Sequence, residues 1–227
     1  MFHWSLHYFP LAPIFLLGLV VLVGVVIALV EVGLLRYAYE KVGVSQRYIF
    51  AILVFSLLGS YVNIPVAQLP AQEVLSNQEA SYFGMRYVIP LVTEWPGTVI
   101  AVNLGGAVIP LLLSGYLIWK HAMYRQAIWG VLIVATVVHV LAHPVRGVGI
   151  AVPIFIPPIL AAGVAILLAR RFAPALAYVA GSLGTLIGAD LLNLDQIQTL
   201  GAPVASIGGA GTFDGIFLTG ILAVLLA

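Results

Sequence analysis

Long apolar runs, separated by short polar or basic stretches, follow one another along almost the whole chain. Seven of these runs come near the roughly 20 residues that a helix needs to cross a bilayer, so each predicts a membrane-spanning helix. The predicted spans are 11–35, 50–66, 98–119, 127–142, 148–169, 172–194 and 213–227. The runs are continuous, which favours helices over a membrane barrel, whose strands alternate apolar and polar residues in segments of about ten.

The connections between these runs are short, with one exception at residues 70–96. The first half of that connection is polar (AQEVLSNQEA) and the second half is aromatic and β-prone, which predicts a short hairpin or a segment lying along the membrane interface. A glycine- and alanine-rich stretch, 201–211, predicts a re-entrant or tightly packed segment. No soluble domain is left over, so 1–227 is predicted to be a single transmembrane domain.

The basic residues predict the orientation. Seven of them follow the first, third and fifth spans, whereas only Arg86 and Arg146 lie in the other connections. The seven are Arg36, Lys41, Arg47, Lys120, Arg125, Arg170 and Arg171. Because cytoplasmic loops of membrane proteins are enriched in Lys and Arg, the N-terminus is predicted outside and the C-terminus in the cytoplasm. The predicted fold class is thus an all-α, polytopic helix bundle of about seven spans.

The composition supports a membrane location and excludes some classes of function. Hydrophobic residues make up 63% of the chain and charged residues 7%, against about 25% charged in ordinary soluble domains. The mean hydropathy is +1.15. A net charge of +1 argues against nucleic acid as a partner, and the absence of cysteine excludes disulfides and thiolate sites. The prokaryotic cytoplasmic membrane is the predicted location, with membrane lipid as a partner; the oligomeric state stays open.

A few polar residues lie within the apolar runs, where they are costly and therefore candidates for function. In the predicted topology, six of them fall near the outer ends of five helices, and Arg146 adjoins them on the outer side. They are Asn63, Asn103, His139, His143, Asp190 and Asp214. The sequence therefore predicts a polar pocket at the outer end of the bundle, in which Asn63, Asn103, His139, His143 and Arg146 bind a substrate or an ion.

Asp190 and Asp214 are the candidate catalytic pair. Two carboxylates that face each other in a site of low dielectric cannot both ionise cheaply, so one keeps its proton. In an aspartyl protease one such carboxylate activates water while the other protonates the substrate carbonyl. Structural roles remain as alternatives: Thr212 can cap the last helix and place Asp214 in its first turn, and Asp190 can face interfacial water.

The segment GTFDGIFLTGILAVLLA, residues 211–227, resembles the second catalytic helix of the GxGD intramembrane aspartyl proteases. The resemblance implies that Asp214 is one catalytic aspartate and that IGAD, residues 187–190, supplies the other as Asp190. It also implies a membrane-embedded peptide as substrate and no cofactor. Pro174-Ala175-Leu176 matches the PAL triplet of that family but precedes both aspartates. More broadly, the chain resembles an uncharacterised family of prokaryotic membrane proteins, which implies no activity.

The two histidines suggest a metal site as an alternative. His139 and His143 are spaced i, i+4, which places both on one face of a helix. Two imidazoles at that spacing suit zinc or a similar divalent metal, and Asp190 or Asp214 would complete the site.

Three functions therefore stay open. The first is an intramembrane aspartyl hydrolase with Asp190 and Asp214 as its dyad. The second is a transporter or channel for an ion, a metal or a small solute that uses the same residues. The third is a structural or assembly protein of the membrane.

Overall fold

The computed structural model describes residues 21, 24, 34–70, 72–82, 85–95, 97–145, 149–200, 204–209 and 215–227. Helices predominate among them, which confirms the prediction of a mostly helical chain. The α-helices are α1 (Leu34–Val42), α2 (Gln46–Gly59), α3 (Ile109–His121), α4 (Tyr124–Leu141), α5 (Ile156–Leu168), α6 (Ala173–Thr185) and α7 (Gly215–Leu226). A first π-helical turn, Leu104–Val108, leads into α3, and a second one, Leu186–Asp190, extends α6. Two segments are 3-10 helices: Arg170–Phe172 and Leu191–Leu200.

The described residues also form short sheets, which the sequence did not predict apart from a hairpin. The strands are β1 (Asn63–Gln68), β2 (Gln72–Tyr82), β3 (Met85–Trp95), β4 (Val99–Asn103), β5 (His143–Val145), β6 (Gly149–Ala151) and β7 (Val204–Ile207). Strand β4 is central in a three-stranded sheet, antiparallel to β1 and parallel to β7. Strands β2 and β3 form the predicted hairpin across the connection 70–96, and β5 pairs with β6.

Helix α6 lies at the centre of the bundle and contacts α1, α3, α4, α5 and α7. Eleven of its 13 residues are buried, and most of them are Ala, Gly or Ser. Such small residues let helix backbones approach closely. A Cβ atom added at Gly184 would lie 2.6 Å from Cγ1 of Val134 on α4, so the contact between these two helices depends on that glycine.

Two helical stretches of the described residues are long and apolar enough to cross a membrane, Tyr124–Leu141 and Arg170–Ile197. Only 28% of the first is buried inside the protein, so a protein core does not account for its apolar surface. Its exposed side chains include Ile128, Leu132 and Val140. Shorter apolar helices occur at Ile156–Leu168 and Gly215–Leu226.

One end of the bundle carries basic residues. There Lys120 Nζ donates a hydrogen bond to the carbonyl of Gly43, between α1 and α2. The ring of His121 lies 4.9 Å from that of Phe172, at the connection from α5 to α6. These contacts bring together the basic connections that follow the first, third and fifth predicted spans. The strands lie at the opposite ends of the helices, where α2 ends and α3 begins.

Several predicted spans need correction. The second, 50–66, is helical only to Gly59 and continues as β1, while the third, 98–119, begins as β4. An apolar run rich in Val and Ile does not by itself distinguish a strand from a helix. Within the Gly/Ala-rich stretch 201–211, residues Val204–Ile207 form β7, and the re-entrant or tightly packed segment stays a prediction. The first span lies almost wholly outside the described residues, and the count of seven spans with its orientation stays a prediction.

Candidate functional site

The candidate site lies where extended segments interrupt the helices. Strands β1 and β4 pair so that Asn63 faces Asn103, at the point where β4 passes into the first π-helical turn. The backbone N–H of Leu104 donates to the carbonyl of Val62 at 2.9 Å, which joins the end of α2 to the start of that turn. Extended backbone at this position leaves carbonyl and amide groups that do not belong to helices.

Asn103 satisfies several of these backbone groups. It is 1% exposed, and its amide nitrogen donates to the carbonyl of Ser60 at 2.7 Å and to Oδ1 of Asn63 at 3.1 Å. Its Oδ1 accepts from the backbone N–H of Gly106 at 2.8 Å and so caps the π-helical turn. Asn103 therefore joins the end of α2, strand β1 and the start of α3.

Ser206 connects β7 to this arrangement. Its hydroxyl lies 2.6 Å from Oδ1 of Asn63 and 2.6 Å from the carbonyl of Gly209, and its single proton serves one of these acceptors at a time. The polar side chains of β1 and β4 are thereby linked to the turn that follows β7.

Asp190 approaches the same turn from the end of α6. It closes the second π-helical turn, and its Oδ2 accepts a hydrogen bond from the backbone N–H of Gly208 at 2.7 Å. The buried amide of Asn193 donates to the carbonyls of Gly188 and Ala189, each at 2.9 Å. A π turn disturbs the regular i to i−4 ladder, so these two hydrogen bonds stabilise the backbone that presents Asp190.

The backbone conformation that directs the N–H of Gly208 towards Asp190 requires a residue without a side chain. Its φ is +90°, a conformation that residues with a Cβ rarely adopt. A Cβ atom there would also lie 2.6 Å from the backbone nitrogen of Ala107 in the first π-helical turn. The turn after β7 is thus wedged between the two π-helical turns.

A cavity of about 450 Å³ adjoins Asp190. It is bounded by β6 and the start of α5, by the end of α6, by β7 and by the start of α7. Its polar lining residues are Asp190, Thr185, Ser206 and Thr219. Thr185 is 5% exposed, and its hydroxyl has no hydrogen-bond partner within the part of the chain that the structure describes.

Residues 57–226, which include every residue of the candidate site, match the model of a protein family of unknown function, DUF1614. The chain belongs to the DUF1614 family. This confirms the expected membership of an uncharacterised family. No curated protein and no solved structure matches the chain at a significant level. The resemblance to the GxGD proteases gains no support from these comparisons.

Three of the predicted site residues of this DUF1614 chain lie together. Asn63 and Asn103 are hydrogen-bonded to each other. Ser206 of β7 is hydrogen-bonded to Asn63, and Gly208, two residues later, donates to Asp190. Asp214 and Arg146, by contrast, lie outside the described residues. Gly215, which follows Asp214 in the chain, lines the same cavity as Asp190.

The predicted helical pair of histidines is wrong. Helix α4 ends at Leu141, so His139 lies in its last turn whereas His143 begins strand β5. His143 is exposed, and its Nδ1 lies 3.2 Å from the carbonyl of Leu141. His139 is half-buried, with an Nδ1 that has no partner among the described residues. The helix ends where Pro144 follows His143, because a residue before proline favours an extended conformation.

The metal alternative depended on that shared face. Among the described residues, no group of three or more His, Asp or Glu side chains lies close enough to hold a metal ion. His139 does not line the cavity either, so the zinc site that the sequence suggested has no ligand set in this part of the chain.

Several residues of the site were not predicted from the sequence: Thr185, Asn193, Ser206 and Thr219. The adjacent glycines Gly208 and Gly209 are a signal for a tight turn at the end of β7. No comparable signal marks Thr185, because the lack of a partner for its hydroxyl arises only from the packing of α6.

Proposed function

We propose that the chain is a multi-pass protein of the prokaryotic cytoplasmic membrane that transports a small solute or cation through the cavity beside Asp190. The observation that carries this proposal is the meeting of interrupted helices at that cavity. At the cavity, α5 is preceded by β6, α6 ends in the second π-helical turn, and α7 is preceded by the segment that contains β7.

The membrane location is supported by the exposed surface of the helices. On α4 and α5, large apolar side chains such as Leu132 and Leu167 face outward, where water would penalise them. The connections after the first, third and fifth predicted spans, which carry seven of the nine basic residues, lie at the end of the bundle opposite to the cavity, as the predicted orientation requires if that end is cytoplasmic. Seven spans then place the cavity on the outer side.

Transport is supported by the backbone geometry. Transporters bind their substrates where membrane helices are discontinuous, because extended segments and helix ends offer polar backbone groups at membrane depth. Non-helical backbone at that depth is stable only where it is buried in protein or lines a cavity. Strand β7 meets this requirement because it lines the cavity, and β4 because it is partly buried, whereas β1 is exposed along its whole length.

The absence of native cysteine allows a direct experiment. A single cysteine introduced as Thr219→Cys lies on the cavity wall, about 6 Å along α7 from Gly215. In a transporter with alternating access, a membrane-impermeant thiol reagent labels this cysteine from either side of oriented vesicles. Labelling from one side only, under all solute conditions, contradicts transport.

The matched control is Gly115→Cys on α3. Gly115 is exposed and has no neighbouring atom within 4 Å of an added Cβ. In a membrane this position faces lipid, so a charged reagent leaves it unlabelled from both sides. Labelling of Gly115→Cys would show instead that the surface of α3 is in water.

An aspartyl hydrolase is the second candidate. Gly215, which follows Asp214 in the chain, lines the same cavity as Asp190. It predicts that Asp190→Asn and Asp214→Asn each abolish cleavage of a membrane-embedded reporter peptide. Cleavage that survives either substitution rules out the dyad.

A further inference from the structure

Positive charge is concentrated at the end of the bundle opposite to the cavity. The stretches 31–47, 120–125 and 170–171, which join α1 to α2, α3 to α4 and α5 to α6 there, carry seven of the nine Lys and Arg residues of the chain. Only two acidic residues, Glu31 and Glu40, belong to the same stretches. Even if both carboxylates form ion pairs, five of the seven positive charges are left over.

Contacts between the connections gather part of this charge into one patch. Lys120 Nζ donates to the carbonyl of Gly43, and the ring of the next residue, His121, lies 4.9 Å from that of Phe172. The guanidinium of Arg171 lies over the ring of Phe172, 5.4 Å from its centroid. Lys120, His121, Phe172 and Arg171 therefore form a continuous surface, the basic patch.

The cations of the basic patch have hydrogen-bond donors to spare. Arg171 is exposed, and its guanidinium makes no hydrogen bond or ion pair with any residue that the structure describes. A guanidinium on an aromatic ring keeps the N–H donors at its edge, and these match the oxygens of a phosphate. Lys120 is exposed as well and uses one of its three N–H donors for Gly43. The patch can therefore bind an anion.

Aromatic residues indicate the level of the membrane surface at this end. Five Tyr and Trp side chains here are between 44% and 71% exposed, and each lies within four residues of a Lys or Arg in the sequence. They are Tyr37, Tyr48, Tyr116, Trp119 and Tyr124. Exposed Tyr and Trp are typical of the boundary between membrane and water, where their rings lie among the lipid headgroups. In a bilayer the basic patch then lies at headgroup level.

Exposed aliphatic residues adjoin the basic patch. The last turn of α5 exposes Ile166, Leu167 and Leu168, and Leu167 is 82% exposed. Arg171 follows Leu167 by four residues, so their Cα atoms lie within about 15 Å of each other. A phospholipid extends over about 20 Å, half of a bilayer, and covers both kinds of surface. A soluble anion would cover only the cations, so this juxtaposition favours a lipid.

We infer that the basic patch binds an anionic phospholipid of the cytoplasmic leaflet. Its phosphate accepts hydrogen bonds from Arg171, Lys120 adds positive potential, and an acyl chain lies along the exposed end of α5. Basic surfaces between membrane helices on the cytoplasmic side recognise anionic headgroups in this way. The inference rests on the membrane location in the proposed function, and it requires neither transport nor the cavity beside Asp190.

The test compares phosphatidylglycerol, phosphatidylcholine with the same acyl chains, and glycerol phosphate. Each is added to the purified, unaltered chain in dodecyl maltoside, and the melting temperature is measured. A ligand that binds the native state raises it, by about 3–6 °C at ten times its dissociation constant. Phosphatidylglycerol produces this rise at a concentration at least tenfold lower than phosphatidylcholine, and glycerol phosphate produces none. Because screening shortens electrostatic interactions to about 3 Å at 1 M salt, the difference between the lipids disappears there.

A variant then locates the site. Arg171→Gln removes one exposed charge and weakens the affinity for phosphatidylglycerol about fivefold, while the response to phosphatidylcholine stays the same. The matched control is Arg86→Gln, which removes one positive charge from β3, between β1 and β4 at the opposite end of the bundle. The control leaves the affinity unchanged. Equal weakening by both variants would show a response to net charge alone and overturn the assignment to the basic patch.

The outcomes separate this inference from the proposed function. Equal effects of the two lipids overturn the inference, and so does a glycerol phosphate effect equal to that of phosphatidylglycerol. In either case, labelling of Thr219→Cys from both sides, with Gly115→Cys unlabelled, would leave the proposed function intact. Labelling of Gly115→Cys by the charged reagent removes the membrane location, and this inference with it.

Discussion

Asn63 and Asn103 lie opposite each other across strands β1 and β4, and their side chains are joined by a hydrogen bond of 3.1 Å. The two residues differ in their surroundings, because Asn103 is buried whereas Asn63 is exposed. Substitutions at the two positions therefore have different expected costs.

Asn103→Ala is expected to destabilise the protein by about 3 kcal/mol, because it removes the buried hydrogen bonds to the carbonyl of Ser60 and from the amide of Gly106. Asn63→Ala is the control, and water replaces its lost hydrogen bonds at a smaller cost. Thermal unfolding of both variants in the same detergent measures the difference. Equal destabilisation by the two would contradict the role assigned to Asn103.

Gly208→Ala is expected to lower stability by about 2 kcal/mol or more, since it combines an unfavourable φ of +90° with a Cβ 2.6 Å from Ala107 N. It also displaces the N–H that binds Asp190. The control is Gly163→Ala on α5, where an added Cβ meets nothing within 4 Å. There alanine is favoured over glycine in a helix interior by up to about 1 kcal/mol. Chemical denaturation of each variant measures the two effects, and a neutral Gly208→Ala would show that the turn is not wedged.

Thr185→Val is expected to raise stability in the absence of ligand by about 1 kcal/mol, because it replaces an unsatisfied buried hydroxyl with a methyl group of similar size. Thr136→Val loses a satisfied hydrogen bond at the surface and stays near neutral or falls slightly. A melting temperature that rises for the first variant and not for the second checks this. A fall for Thr185→Val would mean that the hydroxyl has a partner, such as water.

Asn193→Leu tests the support of the second π-helical turn. Asn193 is 2% exposed, and its amide satisfies two carbonyls of that turn, so its loss is expected to cost about 3 kcal/mol. Asp195→Ala, at an exposed position of the same segment, is the control. Hydrogen exchange measures the outcome: the amides of Gly188 to Asp190 exchange faster in Asn193→Leu. Unchanged exchange there would contradict the role of Asn193.

Leu132→Asp distinguishes a membrane helix from a helix in water. Leu132 lies in the middle of α4 and is 51% exposed. An aspartate at the centre of a membrane helix costs about 3 kcal/mol on insertion, whereas a surface substitution in a soluble protein stays within about 0.5 kcal/mol. Tyr124→Asp, at the exposed start of α4, is the matched control. The fraction of inserted protein falls for the first variant alone, and equal insertion of both would contradict the membrane location of α4.

The sequence predicted the helices best where apolar runs are uninterrupted. Helices α4 and α7 lie close to the predicted spans 127–142 and 213–227. The strands β1 and β4 were missed because their residues are as apolar as those of a helix, and the pairing that fixes them as strands joins distant positions. Ala101 of β4 and Ser206 of β7, for example, are paired although they are 105 positions apart.

The clustering of polar residues was predicted only in part, because the sequence does not show which distant strands pair. Placing Asn63, Asn103 and Asp190 at one end of the helices needs only the order of the spans. The contacts among them run through Ser206 and Gly208, whose role depends on the parallel pairing of β7 with β4. The histidine pair failed because helical spacing was extended past the last residue of α4.

The second π-helical turn has a mechanical consequence for Asp190. Each residue of an α-helix rotates the side-chain direction by about 100°. If this turn passed its additional residue on to the segment Leu191–Leu200, Asp190 would rotate by about that angle, away from Thr185 and out of the cavity. A slip of one residue within a stationary helix would then be enough to withdraw the carboxyl group of Asp190, with no tilting of the surrounding bundle.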